Sequence, residues 1–326
     1  MIETDACWLA AAACLAERAR PSSWPNPAVG AILVRDGVVV GRGWTGAGGR
    51  PHAEAVALEQ AGEAARGAAL YVTLEPCAHK STRGPACADL LAGAALARAV
   101  IGVGDPDPRT AGQGLARLEA AGTDTILADN EGCRASLAGY LMQAVEKRPF
   151  VTLKLAVTAD GFIAHTDGSS RWITGEIARA HAHRERARSD AILVGGATLR
   201  SDAPRLDVRL PGIEDRSPRR FVLTRGEAPD GWSMLRDPSE IGGLGVQYLL
   251  VEGGAEVAGA FMAVGLADRL LLYRAPVEFG EGIPAFAKPG PNGVPAGWRL
   301  ADRRQLGSDT LEVYTRGKSI PRPEEA

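Results

Sequence analysis

His52 and Glu54 stand two residues apart in His-Ala-Glu, Cys77 follows in Pro-Cys-Ala-His, and a second cysteine comes at Cys87. One imidazole and two thiolates supply three corners of a zinc tetrahedron. The fourth is left for a water whose pKa the metal lowers to roughly 7. Glu54 is close enough along the chain to handle protons on that water without ligating the metal. Each part also has a plainer reading. A His-x-Glu pair on a helix is commonly a solvated face, and buried free cysteines are commonly packing residues. A closed structural site would need a fourth protein ligand, for which His79 is available. All four residues occurring in this order favour an open, catalytic site.

These residues must be held by regular elements. Asp5 stands where it can cap an alanine-rich helix running to about Arg20, which prolines 21, 25 and 27 end. Ile32–Val34 and Val38–Val40 flank Asp36-Gly37, the pattern of a hairpin. Residues 52–65 are helical in pattern and 69–74 form a strand ending at Glu75-Pro76-Cys77. This puts His52 and Glu54 at a helix start and Cys77 just past a strand end, where a further helix can carry Cys87. A strand at 100–103, a helix at 112–121 and a strand at 124–127 continue a βαβαβ order, which implies a mostly parallel sheet with helices on both faces. Glu146-Lys147-Arg148-Pro149 marks an interdomain boundary, giving domains at 1–146 and 149–317. In the second domain, strands are expected at 150–155, 191–194, 221–223, 248–251, 270–273 and 311–314, with a helix at 176–188. Residues 318–326 are polar and read as a disordered tail.

At 326 residues the chain is long enough for two domains with separate cores. Apolar residues make up 45% and charged residues 23%, an ordinary globular composition, and the net charge of −2 gives no basic surface for nucleic acid. Five cysteines, an odd number with no small-domain framework, fit a reducing cytoplasm and metal use. The apolar run Trp8–Ala16 is preceded by Glu3 and Asp5 instead of basic residues, which is wrong for an export signal. No segment approaches the roughly 20 apolar residues that span a bilayer, so no membrane partner is expected.

His-x-Glu followed by Pro-Cys and a further Cys is the signature of zinc deaminases acting on pyrimidine or purine amino groups. Two residues separate the cysteines in the nucleic-acid and cytidine enzymes. Here nine intervene, and the loop carries Lys80 and Arg83, which suits the 5′-phosphate of a free nucleotide. Over residues 5–316 the chain resembles the bifunctional deaminase/reductase family of riboflavin biosynthesis. In the first half the match lies in Asn26-Pro-Ala-Val-Gly30, His52-Ala-Glu54, Thr73-Leu-Glu-Pro-Cys77, Asp105-Pro-Asp-Pro108 and Gly112-Gln-Gly114. In the second half it lies in Lys154, Asp160-Gly161, Ser170-Arg-Trp172-Ile-Thr174, Arg186-Ala187, Gly195-Gly-Ala-Thr198, Asp202-Ala-Pro204 with Leu206 and Arg209, and Val251-Glu-Gly-Gly254.

The resemblance implies an α/β chain with an N-terminal cytidine-deaminase-like α/β/α domain and a C-terminal dihydrofolate-reductase-like α/β domain. It implies removal of the 2-amino group of a diaminohydroxypyrimidine ribonucleotide 5′-phosphate, then reduction of the ribosyl group to ribityl with NADPH. Zinc on His52, Cys77 and Cys87, Glu54 as catalytic residue, and substrate contacts from Asn26, His79, Asp105 and Lys80 or Arg83 follow from it. So do NADPH contacts from Ala156, Trp172, Thr198, Asp202, Thr224 and Gly254. Lys154, Ser170, Arg186, Leu206, Arg209 and Glu252 would surround the sugar phosphate, and the working form would be a homo-oligomer. Two departures stand out. Thr45 replaces a usual His, and only 24 residues lie between Thr224 and Leu249, short of a full strand–helix unit.

Overall fold

The computed structural model describes residues 3–79, 81–169, 173–290, 293–317 and 320–325. The chain forms two compact units, Met1–Lys147 with Ile320–Ala326, and Arg148–Ser319.

The first unit runs α1 (Glu3–Ala16), β1 (Gly30–Arg35), β2 (Val38–Trp44), α2 (Ala53–Ala61), β3 (Ala69–Val72), α3 (Cys87–Gly93), β4 (Arg98–Ile101), α4 (Gln113–Ala120), β5 (Asp124–Leu127), α5 (Glu131–Ser136) and α6 (Ala138–Leu141). Its sheet has the order β2-β1-β3-β4-β5. β1 is antiparallel to β2 and β3, and β3, β4 and β5 are parallel. The sheet is therefore mixed, because β1, the first strand of the Asp36-Gly37 hairpin, runs against both of its neighbours. Leu9 of α1, Ala53 and Ala57 of α2, and Leu33, Leu70, Val100 and Ile101 of the strands are fully buried in one core.

Packing of α2 on β2 fixes where the first site lies. Gly41 and Gly43 face α2 so closely that a Cβ would stand 2.1 Å from the Ala57 carbonyl oxygen and 2.3 Å from that of Ala53. Only glycine permits this approach, and it sets the start of α2, whose N-cap is His52.

Two expectations are corrected here. Asp5 does not cap α1, which begins at Glu3. It is buried and accepts from the Tyr71 hydroxyl at 3.1 Å and from Arg98 Nη1 and Nη2 at 3.0 and 3.2 Å, tying α1 to the sheet. Residues 320–322 of the expected tail are also ordered: Ile320 packs against the first core, Pro321 is buried, and Arg322 pairs with Asp129.

The second unit contains β6 (Phe150–Val157), β7 (Phe162–Ala164), α7 (Glu176–Ala187), β8 (Ala191–Gly195), α8 (Gly196–Asp202), β9 (Arg219–Leu223), β10 (Ser233–Leu235), β11 (Tyr248–Glu252), α9 (Ala255–Ala263), β12 (Arg269–Arg274), β13 (Ile283–Pro284), β14 (Trp298–Leu306) and β15 (Asp309–Arg316). Its large sheet has the order β10-β9-β8-β11-β6-β12-β15-β14. The first six strands are parallel, and β15 joins antiparallel to β12 and β14. Strands buried on both faces, such as Ala191–Gly195, read as continuous apolar runs for this reason. The short stretch between Thr224 and Leu249 folds as β10 and a 3-10 turn at Pro238–Leu244, in place of a full helix.

Candidate functional site

β3 ends at Val72, and the chain turns through Pro76 so that Cys77 meets the N-terminal turn of α3, whose first residue is Cys87. Together with His52 at the start of α2, the three candidate ligand atoms all lie within 4.8 Å of one another. His52 Nδ1 is 3.2 Å from Cys87 Sγ and 3.5 Å from Cys77 Sγ. A tetrahedral zinc with ordinary Zn–N and Zn–S bonds separates such atoms by about 3.5 Å, so the cluster fits that ion. The backbone N–H of Cys87 donates to Cys77 Sγ at 3.3 Å. Cys77 is held below its ordinary pKa by the hydrogen bond from Cys87, aided by His52. That leaves Cys87 with the proton and pushes it up. A metal would displace this proton.

Glu54 is buried, and burial pushes its carboxyl above the usual range, against the lowering charge of His52. It lies with His52 and Cys77 in the wall of a cavity of about 250 Å³. The same wall holds Asn26, His79, Arg83 and Asp105, so the structure gathers these expected residues around the cluster. Asn26 Nδ2 donates to Gly49 O at 3.1 Å and lies 3.3 Å from His52 Nε2. His79 is not a fourth corner of the cluster, its Nδ1 lying 3.4 Å from Thr110 Oγ1. Lys80 lies outside the described residues.

The cavity also holds residues that sequence reasoning missed. Tyr140 donates its hydroxyl to Asp105 Oδ1 at 2.6 Å. Burial pushes Asp105 up to about 6, although the hydrogen bonds from Tyr140 and from the Asp107 N–H lower it. Glu75 accepts four backbone N–H groups: those of Asp105 and Gly112 on Oε2 at 3.2 and 3.1 Å, and those of Gly114 and Leu115 on Oε1 at 2.9 and 3.3 Å. It thereby shapes the loop that presents Asp105. No local signal marked Tyr140. The adjacency of Glu75 to Pro76-Cys77 was a signal of position and not of role. Thr45 is buried, donates to Pro27 O at 3.0 Å and accepts from Val29 N at 2.9 Å, so its hydroxyl is spent on the backbone.

In the second unit a cavity of about 710 Å³ opens beside the carboxyl ends of β8 and β9, lined by Thr198, Thr224 and Gly254 together with Gly195, Gly196, Arg225 and Arg236. Its size suits a large ligand. Gly254 caps α9, whose first N–H groups face this region with no side-chain cap. Gly195 and Gly253 are needed for packing. A Cβ at either would meet Val257 within 2.7 Å, so they let α9 close onto the strands. Asp202 is exposed at the end of α8, with Ser201 Oγ donating to it at 2.8 Å, and does not line this cavity; Trp172 lies outside the described residues.

A neighbouring cavity of about 270 Å³ is lined by Lys154, Ala156, Arg186 and Arg209, with Arg179 and His183. Ala156 thus faces this cavity and not the larger one. Arg186 Nε and Nη2 donate to the Glu252 carboxylate at 2.6 and 2.8 Å, and Nη1 donates to Asp207 O at 3.0 Å. Burial would push Glu252 up, but the charges of Lys154 and Arg186 outweigh it and hold the carboxyl at about 2. With its fork spent on Glu252, Arg186 is placed to position that carboxylate more than to grip a phosphate. Leu206 is buried in a separate cluster with Ile192 and Leu250 and does not line the cavity; Ser170 lies outside the described residues.

Residues 2–103 match the cytidine and deoxycytidylate deaminase zinc-binding region, and residues 149–311 match the RibD C-terminal domain. The chain is 36% identical over 331 residues to the riboflavin biosynthesis protein RibD of Escherichia coli K12, covering 85% of this chain and 89% of the relative. It is 34% identical over 319 residues to that of Aquifex aeolicus, covering 86% and 89%. The chain belongs to the RibD family. Acinetobacter baumannii RibD superposes with a TM-score of 0.85 at 31% identity, covering 97% of this chain and 99% of that one. A Thermotoga maritima protein described as a diaminohydroxyphosphoribosylaminopyrimidine deaminase/5-amino-6-(5-phosphoribosylamino)uracil reductase does so with 0.85 at 29%, covering 96% and 98%. Both expected folds are therefore present, the first a cytidine-deaminase-like domain and the second a RibD reductase domain. Among the described residues no helix is long and apolar enough to cross a membrane.

Proposed function

We propose that this chain carries out two consecutive steps of riboflavin biosynthesis: the first unit removes an amino group hydrolytically from a diaminopyrimidine ribonucleotide 5′-phosphate, and the second reduces its ribosyl group to ribityl. The carrying observation is the His52–Cys77–Cys87 cluster, with buried Glu54 lining the same cavity as His52 and Cys77. Zinc, when bound by these three side chains, supplies Lewis acidity that makes a water nucleophilic near neutral pH. Glu54 takes a proton as water adds to the ring carbon bearing the amino group, and returns it to the departing nitrogen, which leaves as ammonia. Burial suits Glu54 to both halves of that transfer, because a raised pKa brings proton uptake and release closer to neutrality. Asn26 reads the polar edge of the ring and is itself oriented by Gly49. Asp105, held by Tyr140, and His79 contact the substrate from the wall of the same cavity.

In the second unit NADPH, when bound, supplies the hydride. Thr198, Thr224 and the N-terminus of α9 hold it in the larger cavity, and Arg225 reads its 2′-phosphate. Lys154 and the Arg186–Glu252 pair bound the sugar, with Arg209 toward its phosphate. Five free cysteines support work in the reducing cytoplasm, and a homo-oligomer is the expected working form, checked by sedimentation.

The test supplies the diaminopyrimidine nucleotide, zinc and NADPH together. Ammonia release followed by loss of nicotinamide absorbance is the expected result. Ammonia without NADPH consumption would leave only the deaminase half of the proposal standing.

A further inference from the structure

Of the carboxylates lining the cavity beside the His52–Cys77–Cys87 cluster, three are already matched by other partners. Glu75 is spent on four backbone N–H groups, Asp105 takes the Tyr140 hydroxyl, and Asp107 accepts the fork of Arg109, with Nη2 at 2.5 Å. Glu54 belongs to the cluster itself. The arginines do not balance in the same way. Arg109 is neutralised by Asp107, but among the described residues Arg50 and Arg83 have no carboxylate within ion-pair distance, although both line this cavity.

These two side chains come from facing loops and cross. Arg83 lies between the two cysteine ligands, and its Nη2 donates to Gly48 O on the loop leading to His52, at 2.8 Å. Arg50 lies on that loop and extends the other way, its Nη1 3.2 Å from where a Cβ would stand on Gly84. Two guanidinium groups held on opposed loops without a counter-charge repel each other, and Arg50 is half-buried. A dianion with several acceptor oxygens relieves that repulsion and matches the planar forks.

We propose that Arg50 is a specificity residue of the deaminase site, binding the 5′-phosphate dianion of the nucleotide together with Arg83. This rests on the deaminase reading above. It assigns the phosphate to the edge of the cavity formed by the 46–50 and 81–84 loops, with the base at the metal cluster.

The test measures ammonia release from the nucleotide and from its dephosphorylated nucleoside, with wild type, R50Q and R50K. R50Q is expected to raise KM for the nucleotide about 10- to 100-fold, the range for a hydrogen bond to a charged group, and to change kcat less than about threefold. On the nucleoside R50Q and wild type should agree within about threefold. R50K should recover part of the loss, and zinc content should be equal throughout. Equal losses on both substrates, or none on either, would overturn the assignment. Binding of inorganic phosphate, followed by calorimetry, separates this idea from the deaminase reading. If wild-type protein released no ammonia, phosphate bound by wild type and lost in R50Q would still support Arg50, whereas equal binding to both would refute it.

Discussion

Glu75 offers the sharpest test of how the first site is built. Its two oxygens each accept two backbone N–H groups of the 105–115 loop. Glu75→Gln keeps the shape but turns one oxygen into an NH2 group, which faces two donors it cannot accept from. Two of the four bonds are lost and two N–H groups lose their acceptor in a buried setting. At about 1.5 kcal/mol for each bond to a charged acceptor, the loss is about 3 kcal/mol before any penalty for the orphaned donors. For a unit of this size that corresponds to a melting point lower by roughly 6–12 °C. The zinc ligands are untouched, so zinc content should remain at one per chain. Because the loop carries Asp105 into the cavity, KM for the deaminase substrate should rise. Thermal unfolding of the zinc-loaded protein, with hydrogen exchange at residues 105–115, measures both effects. An unchanged melting point with unchanged exchange in that loop would refute the reasoning.

Other expectations follow from the same geometry. Asp105 is pushed up to about 6 from an ordinary 3.8, so its protonated form favours the fold below about pH 4 and that stability is lost as pH rises through about 6; Asp105→Asn should abolish this dependence in pH-resolved unfolding. If the ionised Asp105 contacts substrate, kcat/KM should show an acid limb near pH 6, and Tyr140→Phe should shift it upward by removing the donor that favours the carboxylate. Arg225→Ala should reduce the preference for NADPH over NADH about 10- to 100-fold, and Arg236→Ala should do so less, since its Nη1 only holds the Arg225 carbonyl at 3.0 Å; unchanged NADH kinetics relative to NADPH would count against both. Chelation of the metal should stop ammonia release while leaving NADPH oxidation intact when the deaminated intermediate is supplied, and loss of both activities together would contradict separate sites.

The metal cluster was legible because His52, Cys77 and Cys87 each sit at an element end that periodicity alone can place. Gly41 and Gly43 looked like ordinary strand interruptions, and their meaning appeared only when α2 was seen pressed against them. Tyr140, Glu75 and Arg50 act across loops distant in sequence, and nothing in their own neighbourhoods marks such partners. Asp5 had the composition of a cap, but it is buried and held by Arg98 and Tyr71, partners distant in sequence that no local signal marks. The polar chain end looked unstructured, yet one apolar side chain, Ile320, anchors it to the first core. In the second unit the strand order was hidden because parallel strands are all apolar and carry no face signal. Arg186 shows the limit of reading charge as ligand: its fork is spent on a carboxylate of its own chain.

X-ray absorption at the zinc edge reports most directly on whether His52, Cys77 and Cys87 hold a catalytic ion. One zinc per chain with one nitrogen, two sulfurs and one light, exchangeable oxygen is the expected coordination. A second nitrogen from His79, or protein that purifies without metal and cannot be loaded, would contradict it.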